Sequence, residues 1–450
     1  MRFLVTPGMT NATMEKLAII GTGIAGMACA HFLQHKFDLT IYEKNNYVGG
    51  HTNTITVDEN GKEIFIDTGF MVFNHATYPL LTKLFSELNV PTKKTSMSFS
   101  VQHVPSGLEY CGSGLNGLFA QRKNIFNSRY IKMLNQISHF NKESIKILDN
   151  LKYDNYSLHA YIKEQDYSDE MVWKYLIPMS SAVWSTPMEA MLQFPAKTLI
   201  RFFYNHVFLG LNTQHQWYTV VNGSKTYRDI IIKPFKEKTE VNNPVEKVDR
   251  AGRKVIVYSK NSSKTFDKVI FASHGDESLK MIVNPTENEK RLLSKFRYQE
   301  NIATLHTDDS VMPKTKRAWS SWNYRIDSPS PKGSNSQLQP STIYWMNSLQ
   351  QVSEKKNYFV NINGESTIDK RKIIKKITYT HPLFDVEAVN AQKELPKLNE
   401  GGTIYFCGSY FRYGFHEDAL MSSIELCRKL TGENFYNTVI ARESSTEAIL

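Results

Sequence analysis

Cysteine is scarce in this chain: Cys29, Cys111, Cys407 and Cys427 stand alone, with no CxxC spacing. That excludes a disulfide framework and a cysteine-built zinc site, and it fits a reducing compartment. Internal repeats and low-complexity tracts are also missing, apart from the polar run at 328–337, which reads as a loop. Charge of neither sign dominates, since 54 Lys and Arg face 44 Asp and Glu for a net +10. The basic residues are dispersed, with local groups at 93–94, 122–132, 355–356 and 370–376, and no nucleic-acid module emerges. Long hydrophobic runs are few. Residues 17–35 carry no charge, and with MEK before them and ACA at 28–30 they imitate a secretory signal or a short membrane span. Glycines at phosphate-turn spacing argue against both readings, because removing the segment would destroy a ligand site. Residues 1–13 show no pattern, so Met1, Met9 and Met14 are all candidate starts.

What is present concentrates in residues 17–50. The apolar run from Leu17 to Ile20 reads as a buried strand. Gly21, Gly23 and Gly26 then supply a tight turn, bare backbone beside a pyrophosphate, and close helix packing. A helix starting there aims its unpaired N–H groups at phosphate. Leu39 to Tyr42 reads as a second strand. Glu43, 22 residues after Gly21, is placed to accept hydrogen bonds from ribose hydroxyls and would repel a 2′-phosphate. Beyond it come Gly49-Gly50 and then IFIDTGFMV, which sets Asp67 and Gly69 in a turn after an apolar strand.

Glu43, Lys44, Gly49, Gly50, Asp67 and Gly69 together resemble the FAD-binding pattern of the amine oxidase, phytoene desaturase and protoporphyrinogen oxidase superfamily. The resemblance implies an α/β fold, a Rossmann-type FAD-binding domain with an inserted mixed-sheet and helical substrate domain. It assigns to FAD the residues Gly21, Gly23, Ile24, Ala25, Gly26, Glu43, Lys44, Gly49, Gly50, His51, Thr52, Asp67 and Gly69. It adds Val245 at the adenine, and Gly408, Ser409, Phe415 and His416 in a closing strand–turn–helix whose N-terminus faces the flavin C2 carbonyl. A positive helix end there stabilises the anionic reduced flavin.

A chain of 450 residues suggests two connected domains. The pattern places FAD-binding parts at 14–90, 216–290 and 396–432, substrate parts at 91–215 and 291–395, and a loose tail at 433–450. Helical signals dominate 113–205, and strand-like runs at 302–308 and 341–349 suit a sheet flooring a cavity. The segment 118–137 interleaves Arg122, Lys123, Arg129 and Lys132 with Phe119, Ile125, Phe126, Tyr130, Ile131 and Met133. That mixture suits an anionic bilayer, and equally a solvated helix packed on its own domain.

Longer motifs, VGGHTNTI at 48–55, SAVWSTP at 181–187, RAWSSWNY at 317–324 and YGFHEDAL at 413–420 among them, resemble a bacterial NAD/FAD-binding, amine oxidase-like subgroup. Its association with cyclopropane fatty acid synthase-like enzymes implies such a partner and a lipid acyl chain as substrate, while the scattered cysteines and the basic segment 118–137 set the expectation of a cytoplasmic protein touching the inner face of the membrane. Two departures stand out. The stretch 300–308, compared with the strand that carries a lysine near the flavin in amine oxidases, has none. The closing unit has Ser409 and Asp418 where relatives often have an acid and a glycine.

With a flavin accepting hydride, the protein has only to orient a C–H bond, exclude water and take a proton. His416 is the candidate base or polar anchor, and Tyr413, Trp322 and Tyr344, with Trp345, are candidates to line an apolar cavity. Each also fits a structural role, as a cap or as core. Glu417 and Asp418 read as first-turn carboxylates serving the helix dipole. The function expected is an FAD-dependent oxidoreductase acting on a hydrophobic substrate. Alternatives are a peroxide-producing amine oxidase, an FAD-bound non-catalytic partner of a lipid-modifying enzyme, and a protein using NAD alone.

Overall fold

The computed structural model describes residues 14–210, 215–327 and 339–436. The choice among start residues and the polar run 328–337 therefore lie outside the described residues, as does the tail beyond 436.

An all-parallel sheet carries the strands Thr239–Glu240, Asp38–Tyr42, Lys16–Ile20, Lys268–Phe271 and Ile404–Phe406 in that spatial order. Leu17 to Ile20 are buried on both faces, as a central parallel strand requires. The helix Ile24–Leu33 follows at once and lies between this sheet, the helix Lys225–Ile232 and the closing helix His416–Thr431. It is buried nearly all round, which accounts for its lack of charge and its likeness to a signal peptide. Ser423 Oγ of the closing helix donates to the Ala25 carbonyl at 3.1 Å, fixing the two helices together. An antiparallel layer of Val245–Ala251, Lys254–Ser259 and Ser263–Phe266 completes this region.

A seven-stranded mixed sheet runs Ile373–Leu383, Arg297–His306, Phe359–Ile362, Gln339–Trp345, Trp322–Asp327, Phe99–His103 and Leu108–Cys111. Only the pair Trp322–Asp327 and Phe99–His103 is parallel. Residues 99–111 thus join strands two hundred positions later, just ahead of the stretch whose sequence signals read as helical. Helices Ser128–Glu143, Leu158–Glu164, Ile177–Trp184 and Ala196–Asn205 cover this part. In the first of them Tyr130 and Met133 are buried, so that helix is packed on its own domain. The segment after the closing helix is not loose where it is described: Tyr436 is buried, and Phe435 and Tyr436 pack on Phe32 with ring centroids 5.0 and 5.3 Å away. Among the described residues no helix is long and apolar enough to cross a membrane.

A Cβ added at Gly26 would sit 1.9 Å from the Gly21 carbonyl oxygen. Gly26→Ala is therefore expected to cost about 3 kcal/mol or more, since overpacking alone costs ~1–3, and to release the cofactor. Thermal unfolding and flavin content of the purified variant check it.

Candidate active site

The carboxyl ends of the parallel strands open onto a cavity of about 890 Å³, where open α/β sheets bind ligands. Gly21 turns at φ +104°, and a Cβ there would meet the Ala272 carbonyl at 2.8 Å. Gly23 has nothing within 4 Å of its missing Cβ, so bare backbone faces the cavity. Gly50, at φ +57°, would bring a Cβ within 3.3 Å of the Gly23 Cα. Two glycine turns thus lie back to back beside a helix whose N-terminus has no side-chain cap, which is the arrangement a pyrophosphate needs. Ile24 and Ala25 line the cavity at that helix end. A Cβ at Gly69 would sit 2.3 Å from the His51 carbonyl, which keeps the third glycine segment close to the second. Glu43 is buried at the cavity wall and accepts from the Thr22 and Asn45 N–H groups at 3.2 and 2.8 Å. Lys44 lies at the rim, paired with Glu277 at 2.7 Å. Val245, Gly408 and Ser409 also line the cavity. These donors, turns and carboxylate fit FAD.

At the far side, the closing helix delivers His416. Its Nε2 meets Tyr227 Oη at 3.0 Å and Thr52 Oγ1 at 3.2 Å, and its ring stacks on Phe70 at 3.9 Å. Burial pulls its pKa down to about 3, so the imidazole is neutral. The sequence offered no signal for Tyr227, Phe70 or Thr52 as its partners. His51, expected at the cofactor, does line the cavity, and the imidazoles of His381 and His274 near it went unrecognised. His51 stacks on Tyr379 at 4.8 Å and approaches His381 at 5.1 Å, and its Nε2 has no protein partner. Burial holds His51 well below the usual range and takes His381 to about 4. His274, stacked on Tyr298, is lowered by burial too. Its position directly after a parallel strand is a signal that could have marked it.

Several expected roles are corrected. Asp67 is fully buried away from the cavity, accepting from Ser224 N (2.8 and 2.9 Å), Ser224 Oγ (2.8 Å), Thr54 Oγ1 (2.5 Å) and Gln350 Nε2 (2.6 Å). It is a structural pin with no face left for cofactor. Thr52 is likewise fully buried, and it reaches the site only through His416 and Tyr227. Gly26 packs helix on turn, as its spacing suggests, and does not line the cavity. Tyr413 borders a separate space of about 50 Å³, where its carbonyl accepts from Trp184 Nε1 at 2.9 Å. Trp345 is in a different cluster, 5.2 Å from Trp319. Phe415 does line the main cavity, stacked 5.1 Å from Phe202. Glu417 reaches outward from its helix to accept from Leu80 and Leu81 N–H at 2.8 and 2.9 Å, capping the helix Pro79–Glu87. Asp418 accepts from Phe415 N–H at 2.9 Å and caps its own helix.

Beyond His416 the cavity continues between Trp322, Tyr344, Trp184, Phe202, Trp217 and Met97. Trp322 and Tyr344 are opposite residues on neighbouring antiparallel strands, with rings 6.3 Å apart and nearly parallel. His206, the polar side chain at this end, stacks on Phe202 and has its pKa lowered to about 4 by burial. Among the described residues, the lysines that line the cavity are Lys44 and Lys280, both exposed and ion-paired.

The flavin containing amine oxidoreductase family matches residues 24–340, and the chain belongs to that family. Among solved structures, putrescine oxidase bound to putrescine is similar at 12% identity with a TM-score of 0.65, over 93% of this chain and 99% of that one. A CLA-producing fatty acid isomerase from P. acnes gives 14% and 0.65, over 93% and 99%. Cyclohexylamine oxidase from Brevibacterium oxydans IH-35A gives 13% and 0.65, over 96% and 99%. These likenesses establish the fold. No curated protein matches the sequence. The protein is an FAD-dependent oxidoreductase.

Two measurements follow from the protonation states. Since His51, His206, His381 and His416 are all held below the ordinary histidine range, the bound-flavin spectrum should stay constant between about pH 5 and 8. A step in that range would show that one of these imidazoles titrates there. Burial raises Glu417 from 4.5 to about 8, and Asp418 to about 6. Between 4.5 and 8 the folded state keeps a proton that the unfolded state gives up, so stability falls as pH rises through that window. The melting temperature should drop accordingly in the wild type and stay flatter in Glu417→Gln.

Proposed function

We propose that the hydride donor is a neutral, apolar molecule, with a membrane-derived unsaturated or cyclopropane acyl chain as the substrate class. The observation that carries this reading is the end of the cavity beyond His416: aromatic and aliphatic walls, the neutral imidazole of His206 and, among the described residues, no carboxylate. The three carboxylates on the cavity lining lie elsewhere: Glu43 behind the glycine turn, Glu277 paired with Lys44, and Glu300, which is exposed. FAD, when bound, supplies the acceptor for the hydride. Trp322, Tyr344 and Phe202 hold an apolar chain and exclude water from it. The neutral His416, anchored through Nε2 by Tyr227 and Thr52, is the group positioned to hold or move a proton at this end. A cyclopropane fatty acid synthase-like partner belongs to the same proposal, as the kind of enzyme that would share such a substrate.

The amine oxidase reading has one observation in its favour. The parallel faces of Trp322 and Tyr344 would attract an ammonium by about 0.5–2 kcal/mol. The structural neighbours divide between the two chemistries, putrescine and cyclohexylamine oxidases on one side and a fatty acid isomerase on the other.

An anaerobic screen separates them. The purified holoenzyme is mixed with unsaturated and cyclopropane fatty acids and, separately, with primary amines and polyamines, and flavin absorbance is followed. Bleaching by a fatty acid, with Trp322→Ala raising the concentration needed about tenfold or more, supports the proposal. Bleaching by amines alone, with peroxide on admitting air, overturns it.

A further inference from the structure

Ahead of the packed helix Ser128–Glu143 lies a surface that the domain does not cover. Phe126 is 91% exposed, Leu115 70% and Ile125 48%. Single exposed apolar side chains are ordinary on a protein surface, but three grouped on adjoining turns are informative. They sit on two short turns, Gly114–Leu118 and Arg122–Phe126, and hydrogen bonds tie these to each other and to the neighbouring turn Val104–Ser106. Gln121 Nε2 donates to the Gly107 carbonyl at 2.8 Å, and Arg122 Nη1 donates to the Phe119 carbonyl at 2.6 Å. The exposed apolar residues are therefore held on a fixed scaffold.

The charge around them has one sign. From residue 104 to 142 the only acidic residue is Glu109. It is buried, and its two oxygens accept from the Lys314 and Thr315 N–H groups, both at 2.8 Å. That contact brings a second basic segment to the edge, so Lys123, Arg129 and Lys132 are joined by Lys314, Lys316 and Arg317, all exposed. Among the described residues, no ion pair with a carboxylate engages any of these six; Lys316 lies over the Trp319 ring at 3.4 Å. Projecting apolar side chains ringed by unneutralised cations are what an anionic lipid surface binds, through insertion and electrostatic attraction together. An acidic protein partner would complement the charge but would leave a side chain as exposed as Phe126 without a matching pocket to explain it.

We propose that this edge docks the protein on an anionic bilayer, with Phe126, Ile125 and Leu115 entering the interface and the six basic residues facing lipid headgroups. The inference does not depend on the acyl-chain reading above, although the two agree. The strand Phe99–His103 joins the cavity wall at Met97 and Trp322 to the turn at Val104, a span of roughly 16 Å at the usual rise per residue.

The test uses the full-length holoenzyme and vesicles of phosphatidylcholine alone or mixed with phosphatidylglycerol, with binding read by co-sedimentation. The wild type is expected with the mixed vesicles and not with the neutral ones, and rising salt should release it. Phe126→Ser should weaken binding about tenfold or more, and K123E/R129E/K132E together should abolish it. Flavin content and melting temperature of each variant should match the wild type, because every altered side chain is exposed. A protein that stays in the supernatant with both vesicle types overturns the proposal. So does Phe126→Ser binding as tightly as wild type, or a dimer in solution that this substitution breaks.

Discussion

Three turns of bare backbone must meet at the carboxyl edge of one parallel sheet, and the rest of the molecule is arranged around that requirement. The register aligns Ile20 with Tyr42 on one side and Phe271 on the other, and Phe271 in turn with Phe406. Each of these strands therefore ends at the same level. Side chains are excluded where the segments cross: Gly21 lies against Ala272, and Gly26 against Gly21. Gly408, at φ +155°, leaves room only for the Tyr410 ring beside it. The long insertions between the strands leave and re-enter the sheet at these points, and the cavity they enclose inherits its position from them.

Buried carboxylates secure the insertions. Asp67 joins the third glycine segment to Ser224 and Gln350, Glu417 joins the closing helix to the helix at Leu80, and Glu109 joins an outer strand to the turn at Lys314. Each bond spans more than a hundred residues of sequence, 157, 337 and 205 in turn. A carboxyl group out of water is costly unless its oxygens find donors. Here each carboxylate takes at least one backbone N–H group that would otherwise be orphaned, so one contact satisfies both partners. The same economy explains why these acids are spent on architecture rather than on the cavity wall.

The FAD end was legible because its constraints are local. Gly21, Gly23, Glu43 and Gly49-Gly50 are within thirty positions of one another, and each has a backbone or charge reason that a single sequence displays. Asp67 misled for the opposite reason. Its turn context matches a cofactor segment, yet its oxygens go to Ser224 and Gln350, contacts that no local pattern announces. The Tyr227 and Thr52 partners of His416 are equally non-local, as is the pairing of residues 99–111 with a strand two hundred positions later. Tyr413 missed narrowly: it borders only the smaller space, whereas Phe415, two residues on, lines the larger cavity as well.

The imidazoles disclose what the cavity tolerates. Desolvation alone holds His416 near 3 and is the largest cause that takes His206 to about 4. An alkylammonium entering that volume would lose the same hydration. Its losses would be several kcal/mol, against about 0.5–2 kcal/mol from the faces of Trp322 and Tyr344, and among the described residues no carboxylate at that end makes up the difference. A neutral chain has no such loss, and it gains from every apolar surface it covers. The balance of these terms, more than any single residue, favours an uncharged substrate at the site.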